Sequence, residues 1–266
     1  MILPCFMLIS IFLILPLIIK LFPTFIENNT FTFSKYLSFF NDNLNKTIFL
    51  RSIKLSIIST IICIILGLPT SYFIVKQKKN VKSLLLSIIL FPLLINSVVR
   101  GFAWINILGK TGLINQILLK LHIIDTPLKL LYTDVAIIIG SVYLFLPLMI
   151  TTVTSVMDKI EDETIEAAMS LGANGFVTFL KVILPLSFSG ILTGSILVFS
   201  GVMSAYTTPK LLGGNKKMIL ATLLYEKASV IGDWNSASII AFIMIVLTFS
   251  VMKLLNYISK KVDKRC

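Results

Sequence analysis

The chain has 266 residues, 56% of them hydrophobic and 14% charged, with a mean hydropathy of +0.96 and a formal net charge of +12. Soluble domains carry about 25% charged residues, so the composition excludes an ordinary soluble domain and points to a membrane protein. The positive charge sits in short loops between apolar runs, which suits anionic lipid headgroups and argues against a nucleic-acid partner.

Charge spacing sets the expected elements. Runs without Asp, Glu, Lys or Arg cover 1–19, 55–75, 83–99, 135–157, 182–209 and 234–252. A bilayer core of roughly 30 Å takes about 20 residues at 1.5 Å rise each. The expectation is an all-α integral membrane protein forming one domain over 1–266. Its six transmembrane helices lie near 1–22, 52–75, 83–108, 135–157, 185–208 and 235–256. A soluble bundle would need a polar face on most helices, and IISTIICIIL and AFIMIVLTF have none.

The first helix lacks a basic start and an A-x-A site, and reads as a retained helix rather than a cleaved signal peptide. The stretch ENNTFTFSKYLSFFNDNLNK that follows mixes aromatics with Asn and Thr, as an interfacial loop with short helical turns does. The second helix carries Gly67 and Pro69 and ends at the interfacial pair Tyr72–Phe73. The third carries Pro92, Asn96 and Arg100 toward the opposite side. In the next loop Leu113, Ile117, Leu121 and Ile124 recur at helical spacing, predicting a short surface helix. The fourth helix contains Pro147. The fifth is expected to start at Pro185, and its Gly190, Gly194 and Gly201 suit close helix packing.

Six helices place loops 76–82 and 158–181 and the tail 253–266 on one side, with 11 Lys/Arg in 45 residues against 13 in 94 on the other. By density that side is cytoplasmic, together with both termini. Cys5, Cys63 and Cys266 form no disulfide or metal pattern, and His122 alone builds no metal site. No catalytic set is present either. There is no G-x-x-x-x-G-K-[ST] phosphate loop, so nucleotide energy would have to come from another chain.

The segment 158–184 is too polar to span a membrane. Asp158 and Glu161 are spaced like a capping box, and Asp162, Glu163 and Glu166 suit the first turn of a helix. Ile165, Ala168, Met169 and Gly172 make a narrow stripe at i, i+3, i+4 and i+7. Gly172 and Gly175 break the run before FVTFLKVIL resumes it. The prediction is helix, turn, helix at the membrane surface. On periodicity alone it either covers the bundle's end or meets another protein.

Glu166, Ala167, Ala168, then Gly172, then Val182, Leu184 and Pro185 resemble the signature of the membrane subunits of binding-protein-dependent ABC importers, with Val182 where isoleucine is usual. Nearly the whole chain shares that resemblance. FPLLINSVVRGFAW, GLINQILLKLHIIDTPLKLLYT, VAIIIGSVYLFLPLMI and LLGGNKKMILATLLYEKASVIGDWNSAS are most similar to polyamine (spermidine/putrescine) permeases. YTTPKLLGG is shared with relatives that carry other solutes.

The resemblance implies a type I ABC importer permease fold in a bacterial inner membrane. It also implies separate ATP-binding subunits, a second permease chain that is a different one, and an extracytoplasmic solute-binding protein. The chain itself would be no enzyme and would need no cofactor. The seven signature residues would couple to the ATPase, with Gly172 at the turn and Pro185 starting helix five. Polar groups at membrane depth nominate Asn96, Arg100, Tyr143, Ser204 and Thr207 for the solute path. Arg100 with Trp104 either lines the outer vestibule or anchors helix three. A cationic polyamine also suits Asp233 with Trp234, Glu226 and Asp134, each equally open to contact with the binding protein or solvent. Another small solute (iron, an amino-acid-like or other organic ion) would use the same permease role. A stand-alone carrier would want a charged relay, and the six runs hold no charge. A membrane-embedded enzyme would want paired carboxylates or histidines at depth.

Overall fold

The computed structural model describes residues 10–27 and 30–262. In chain order it has α1 (Leu15–Leu21), α2 (Ser34–Asn41), α3 (Asn43–Val75), α4 (Lys79–Leu94), α5 (Ser97–Leu108), α6 (Leu113–Lys120) and α7 (Asp134–Met157). Next come α8 (Asp162–Ser170), α9 (Gly175–Leu186), α10 (Phe188–Ser204), α11 (Thr207–Gly213), α12 (Leu220–Tyr225) and α13 (Trp234–Val262). The one departure from all-α among the described residues is a two-residue antiparallel ladder, Ile26 opposite Phe31 and Glu27 opposite Thr30.

Three helices are each long and apolar enough to cross a bilayer: Asn43–Val75, Asp134–Met157 and Trp234–Ile258. Two more candidates are bent pairs, Lys79–Leu94 with Ser97–Lys120 at 92° and Gly175–Leu186 with Phe188–Ser204 at 65°. The described residues therefore hold three spans, or five with each bent pair taken as one, against the six expected. Much of the first expected helix, with Cys5, lies outside the described residues, as does Cys266.

The bends have local causes. The helix expected over 83–108 stops at Leu94, where Ile95 and Asn96 turn extended. Asn96 then caps α5, its side-chain oxygen accepting from Val98 N at 2.9 Å and Val99 N at 3.4 Å. Pro185 does not start the fifth helix, because α9 already runs from Gly175. Proline has no N–H to give to the carbonyl four residues back, and a π turn over Phe179–Ile183 absorbs the defect. Ser187 closes the joint, its hydroxyl donating to Ile183 O at 2.7 Å.

The core is α3, α7 and α10, held through small residues. The buried face of α3 carries Ser52, Ser56, Ser59, Thr60, Cys63, Gly67 and Ser71, a spacing that lets α7 approach closely. Ser71 donates across this seam to Ile150 O at 3.1 Å. The open face of α3 is aliphatic, with Leu50, Ile57, Ile61 and Ile65 exposed, as lipid contact requires. Gly190, Gly194 and Gly201 all lie against α7. A Cβ on Gly190 would sit 2.9 Å from Val156 Cγ2, and one on Gly194 2.6 Å from Met149 Sδ. The packing role expected for these glycines is what the structure shows.

The interfacial segment after α1 is ordered by aromatics. Phe25 meets the rings of Phe31, Phe33, Tyr36 and Phe242, and Thr24 Oγ1 lies 2.6 Å from the Tyr36 hydroxyl. The surface helix expected in the next loop is α6, pinned by a fully buried Asn115. Its amide donates to Gly109 O and Leu128 O and accepts from Leu128 N at 2.8 to 3.0 Å.

Candidate functional site

The nominated residues fall into two sets: those of the α8–α9 hairpin at one end of the bundle, and scattered polar and aromatic residues elsewhere in it. The hairpin turn is fully specified. Gly172 N–H donates to Met169 O at 2.9 Å and Ala173 N–H to Ala168 O at 3.2 Å, the paired bonds of a Schellman C-cap. Gly172 has φ +88°, a left-handed conformation that glycine adopts without a Cβ penalty. Asn174 starts α9, its side-chain oxygen accepting from Val177 N at 2.9 Å. Four residues, 171–174, thus carry the chain from one helix into the next through paired turn bonds and a side-chain cap.

The hairpin leans on the bundle through one face only. Ile160, Ile165, Phe179 and Leu184 join Tyr72 and Val75 around buried Met157 and Ile183. Tyr72 and Phe179 lie 4.9 Å apart, and Lys76 Nζ stands 4.2 Å over the Tyr72 ring. Asp158 pairs with Lys82. The capping box expected from Asp158 and Glu161 does not form, because Asp158 closes α7 and the Glu161 side chain makes no cap bond.

The other face is bare. Leu171 is 90% exposed, Phe176 70% and Met169 46%, and the acids Glu161, Asp162, Glu163 and Glu166 at and after the start of α8 are exposed too. The expected stripe is divided. Ile165 and Ala168 are half-buried, while Met169 and Gly172 are exposed. Of the signature residues, Glu166, Ala167, Gly172 and Pro185 are exposed, and Ala168, Val182 and Leu184 are half-buried. Sequence reading missed Leu171 and Phe176, which fall at the turn, where helical periodicity gives no signal.

The residues nominated for a solute path do not gather in one place. Asn96 is the α5 cap. Arg100 is buried at 7% exposure and donates to Pro92 O at 3.0 Å and Ile95 O at 3.3 Å, holding the broken end of α4. Trp104 and Tyr143 meet edge to face at 5.4 Å. Ser204 is exposed at the end of α10 and Thr207 half-buried at the start of α11. Asp134 lies 3.6 Å from Arg51 and 3.7 Å from Lys217. Trp234 is 58% exposed under Lys20 Nζ, 5.5 Å from its ring centre.

Asp233 accepts from Ser236 N at 3.0 Å and so caps α13. Hydrogen bonds from Ser236 hold its carboxyl below the usual carboxylate range. That stabilisation is present at neutral pH and is lost as pH falls through the lowered value. Asparagine caps as well as aspartate. Asp233→Asn is therefore expected to leave both the neutral-pH thermal midpoint and the solute uptake rate unchanged, whereas a solute ligand would lose uptake.

The comparisons agree with this architecture. The family model for "Binding-protein-dependent transport system inner membrane component" matches residues 63–264. The chain is 32% identical over 229 residues to the spermidine/putrescine transport system permease protein PotB of Escherichia coli, covering 84% of this chain and 82% of that one. It is 32% identical over 246 residues to PotB of Haemophilus influenzae, with 91% and 83% covered. A probable sulfate transport system permease protein cysT of Marchantia polymorpha is 27% identical over 206 residues, 76% of this chain and 69% of its own. A bacterial alginate ABC transporter in complex with its pentasaccharide-bound periplasmic protein contains a chain of the same fold, with TM-score 0.83 at 16% identity over 99% of this chain and 94% of that one. The inward-facing MetNI methionine transporter gives 0.60 at 14%, over 84% and 100%. With a family model spanning most of the chain and two relatives above 30% identity, the chain belongs to the inner-membrane components of binding-protein-dependent transport systems.

Proposed function

We propose that this chain is a polyamine-carrying permease subunit, driven by a separate ATPase that docks on the α8–α9 hairpin. The uncovered hairpin face, with Leu171 and Phe176 exposed around the α8–α9 turn, is the observation that carries the drive. Large apolar side chains left bare on a surface mark a protein contact. The spermidine/putrescine permeases among its relatives support the substrate.

The hairpin is built to transmit movement. Its turn is fixed by the Schellman bonds and the Asn174 cap, and α9 meets α10 at a 65° joint that the Ser187 hydroxyl closes. α10 in turn lies glycine to side chain on α7, so the shape change of a nucleotide-bound partner passes to two spanning helices without a flexible link. In this reading Glu166 and Ala167 touch the ATPase, Ala168, Val182 and Leu184 seat the hairpin, and both termini lie on the ATPase side. A second permease chain completes the path and an extracytoplasmic binding protein delivers the solute.

The test is uptake of labelled putrescine and spermidine in a bacterium stripped of its own polyamine importers. Expression of this chain with its cognate subunits restores uptake. Restoration of some other solute's uptake, and of neither polyamine's, overturns the substrate assignment.

A further inference from the structure

A second set of residues, unrelated to the hairpin, lies on two stretches that the Tyr206–Tyr225 stack joins where α10 breaks. α10 ends at Ser204 and α11 begins at Thr207, so Ala205 and Tyr206 leave the helix. Irregular backbone at membrane depth is tolerated where it is buried in protein or lines a cavity, and broken helices mark the binding sites of transporters. The Tyr206 ring stacks on Tyr225 with centroids 4.2 Å apart and planes 29° apart. Tyr225 is 41% exposed, so part of its side chain is reachable from outside the stack. Ser204 is exposed, and its hydroxyl donates to Ser200 O at 2.8 Å and Gly201 O at 3.2 Å. With its proton committed inside the helix, it offers only lone pairs outward.

Glu226 follows Tyr225 and differs from Asp42, Asp125, Asp134 and Asp233 toward the same end of the bundle. Asp42 caps α3, Asp233 caps α13, Asp134 faces Arg51 and Lys217, and Asp125 stands exposed in a loop. Glu226 is half-buried, and among the described residues its carboxylate has neither an ion pair nor a hydrogen bond. Keeping a partly buried charge without a partner costs free energy, which a cationic solute would offset. The neighbouring Lys227 forms no ion pair with it.

We infer that Ser204, Tyr206, Tyr225 and Glu226 form a recognition point for an alkylammonium group of the solute. The inference rests on the polyamine reading above and says which residues of this chain meet the cation. An ammonium has donors and no acceptor. Here it finds one carboxylate, an outward hydroxyl oxygen and the negative face of a ring. A single carboxylate binds weakly enough for release, as passage demands.

The experiment uses the assembled importer in proteoliposomes, with uptake of labelled putrescine and spermidine measured at saturating loaded binding protein. Glu226→Gln and Tyr225→Leu each lower the uptake rate about tenfold, the scale of one desolvated cation contact. Tyr225→Phe keeps the ring face and stays within about twofold of wild type. Binding-protein-stimulated ATP hydrolysis is retained in all three. Because Gln preserves the size of Glu226, its result decides the matter if Tyr225→Leu fails to assemble. Unchanged uptake in Glu226→Gln, with a wild type that imports polyamines, overturns the site and leaves the substrate reading standing. A wild type that imports neither polyamine overturns both.

Discussion

Leu171→Asp and Phe176→Asp each reduce ATP-driven uptake by roughly thirtyfold or more, while the amount of chain in the membrane stays at the wild-type level. The two side chains are 90% and 70% exposed on the hairpin, so their loss removes no packing from the bundle itself. An interface anchor is worth about 2 kcal/mol or more when truncated, and burying an unpaired carboxylate in its place adds to the loss. The hairpin turn gives an independent handle. A Cβ on Gly172 would meet nothing within 4 Å, yet the residue sits at φ +88°. Gly172→Val is therefore disfavoured by backbone conformation alone, by roughly 1–2 kcal/mol. Gly172→Asn is milder, because asparagine tolerates the left-handed region. Co-purification of the ATPase with each variant, alongside uptake, checks the set. Full retention of both in the two aspartate variants would remove this face from the docking surface.

The second large effect is on the bundle. Gly194→Leu places its Cβ 2.6 Å from Met149 Sδ and Thr152 Oγ1 and 3.4 Å from Met149 Cα. The methionine tip can swing away, but the threonine is short and the Cα belongs to the α7 backbone. Overpacking of this kind costs about 1–3 kcal/mol or more, and here it also pries apart the two helices that carry motion up from the hairpin. Its control is the adjacent Thr193, which is exposed and whose hydroxyl returns to Ser189 O. Thermal unfolding in detergent is expected to show a clearly lower midpoint for Gly194→Leu and little change for Thr193→Leu. Equal midpoints would mean that α7 and α10 are not held as closely as described.

The sequence made the helical, membrane-embedded character legible because apolar length and charge spacing are local properties. The glycines of α10 and the hairpin of 158–184 were legible for the same reason: small residues and end caps write themselves into neighbouring positions. The breaks were not. Pro92 lies inside α4, and the helix ends only at Leu94, where Asn96 caps the next helix and Arg100 folds back onto the freed carbonyls. Those contacts show only in three dimensions. Pro185 was read as a start because proline suits a first turn, whereas a π turn keeps the helix continuous through it. Asp158 was read as half of a capping box and instead pairs with Lys82, and the capping role of Asp233 shows only once Ser236 is placed beside it. The stacked pair Tyr206 and Tyr225 brings two distant stretches of chain together, and no local pattern announces such a contact.

The most direct test of the whole account is uptake into proteoliposomes that hold this chain with its second permease chain and ATPase subunits. Labelled spermidine is supplied outside on the binding protein, with ATP enclosed inside. Uptake is expected to require both ATP and the binding protein, and to fall by roughly thirtyfold or more in Leu171→Asp. Uptake that persists without ATP, or that follows an imposed ion gradient instead, would contradict an ATPase-driven permease.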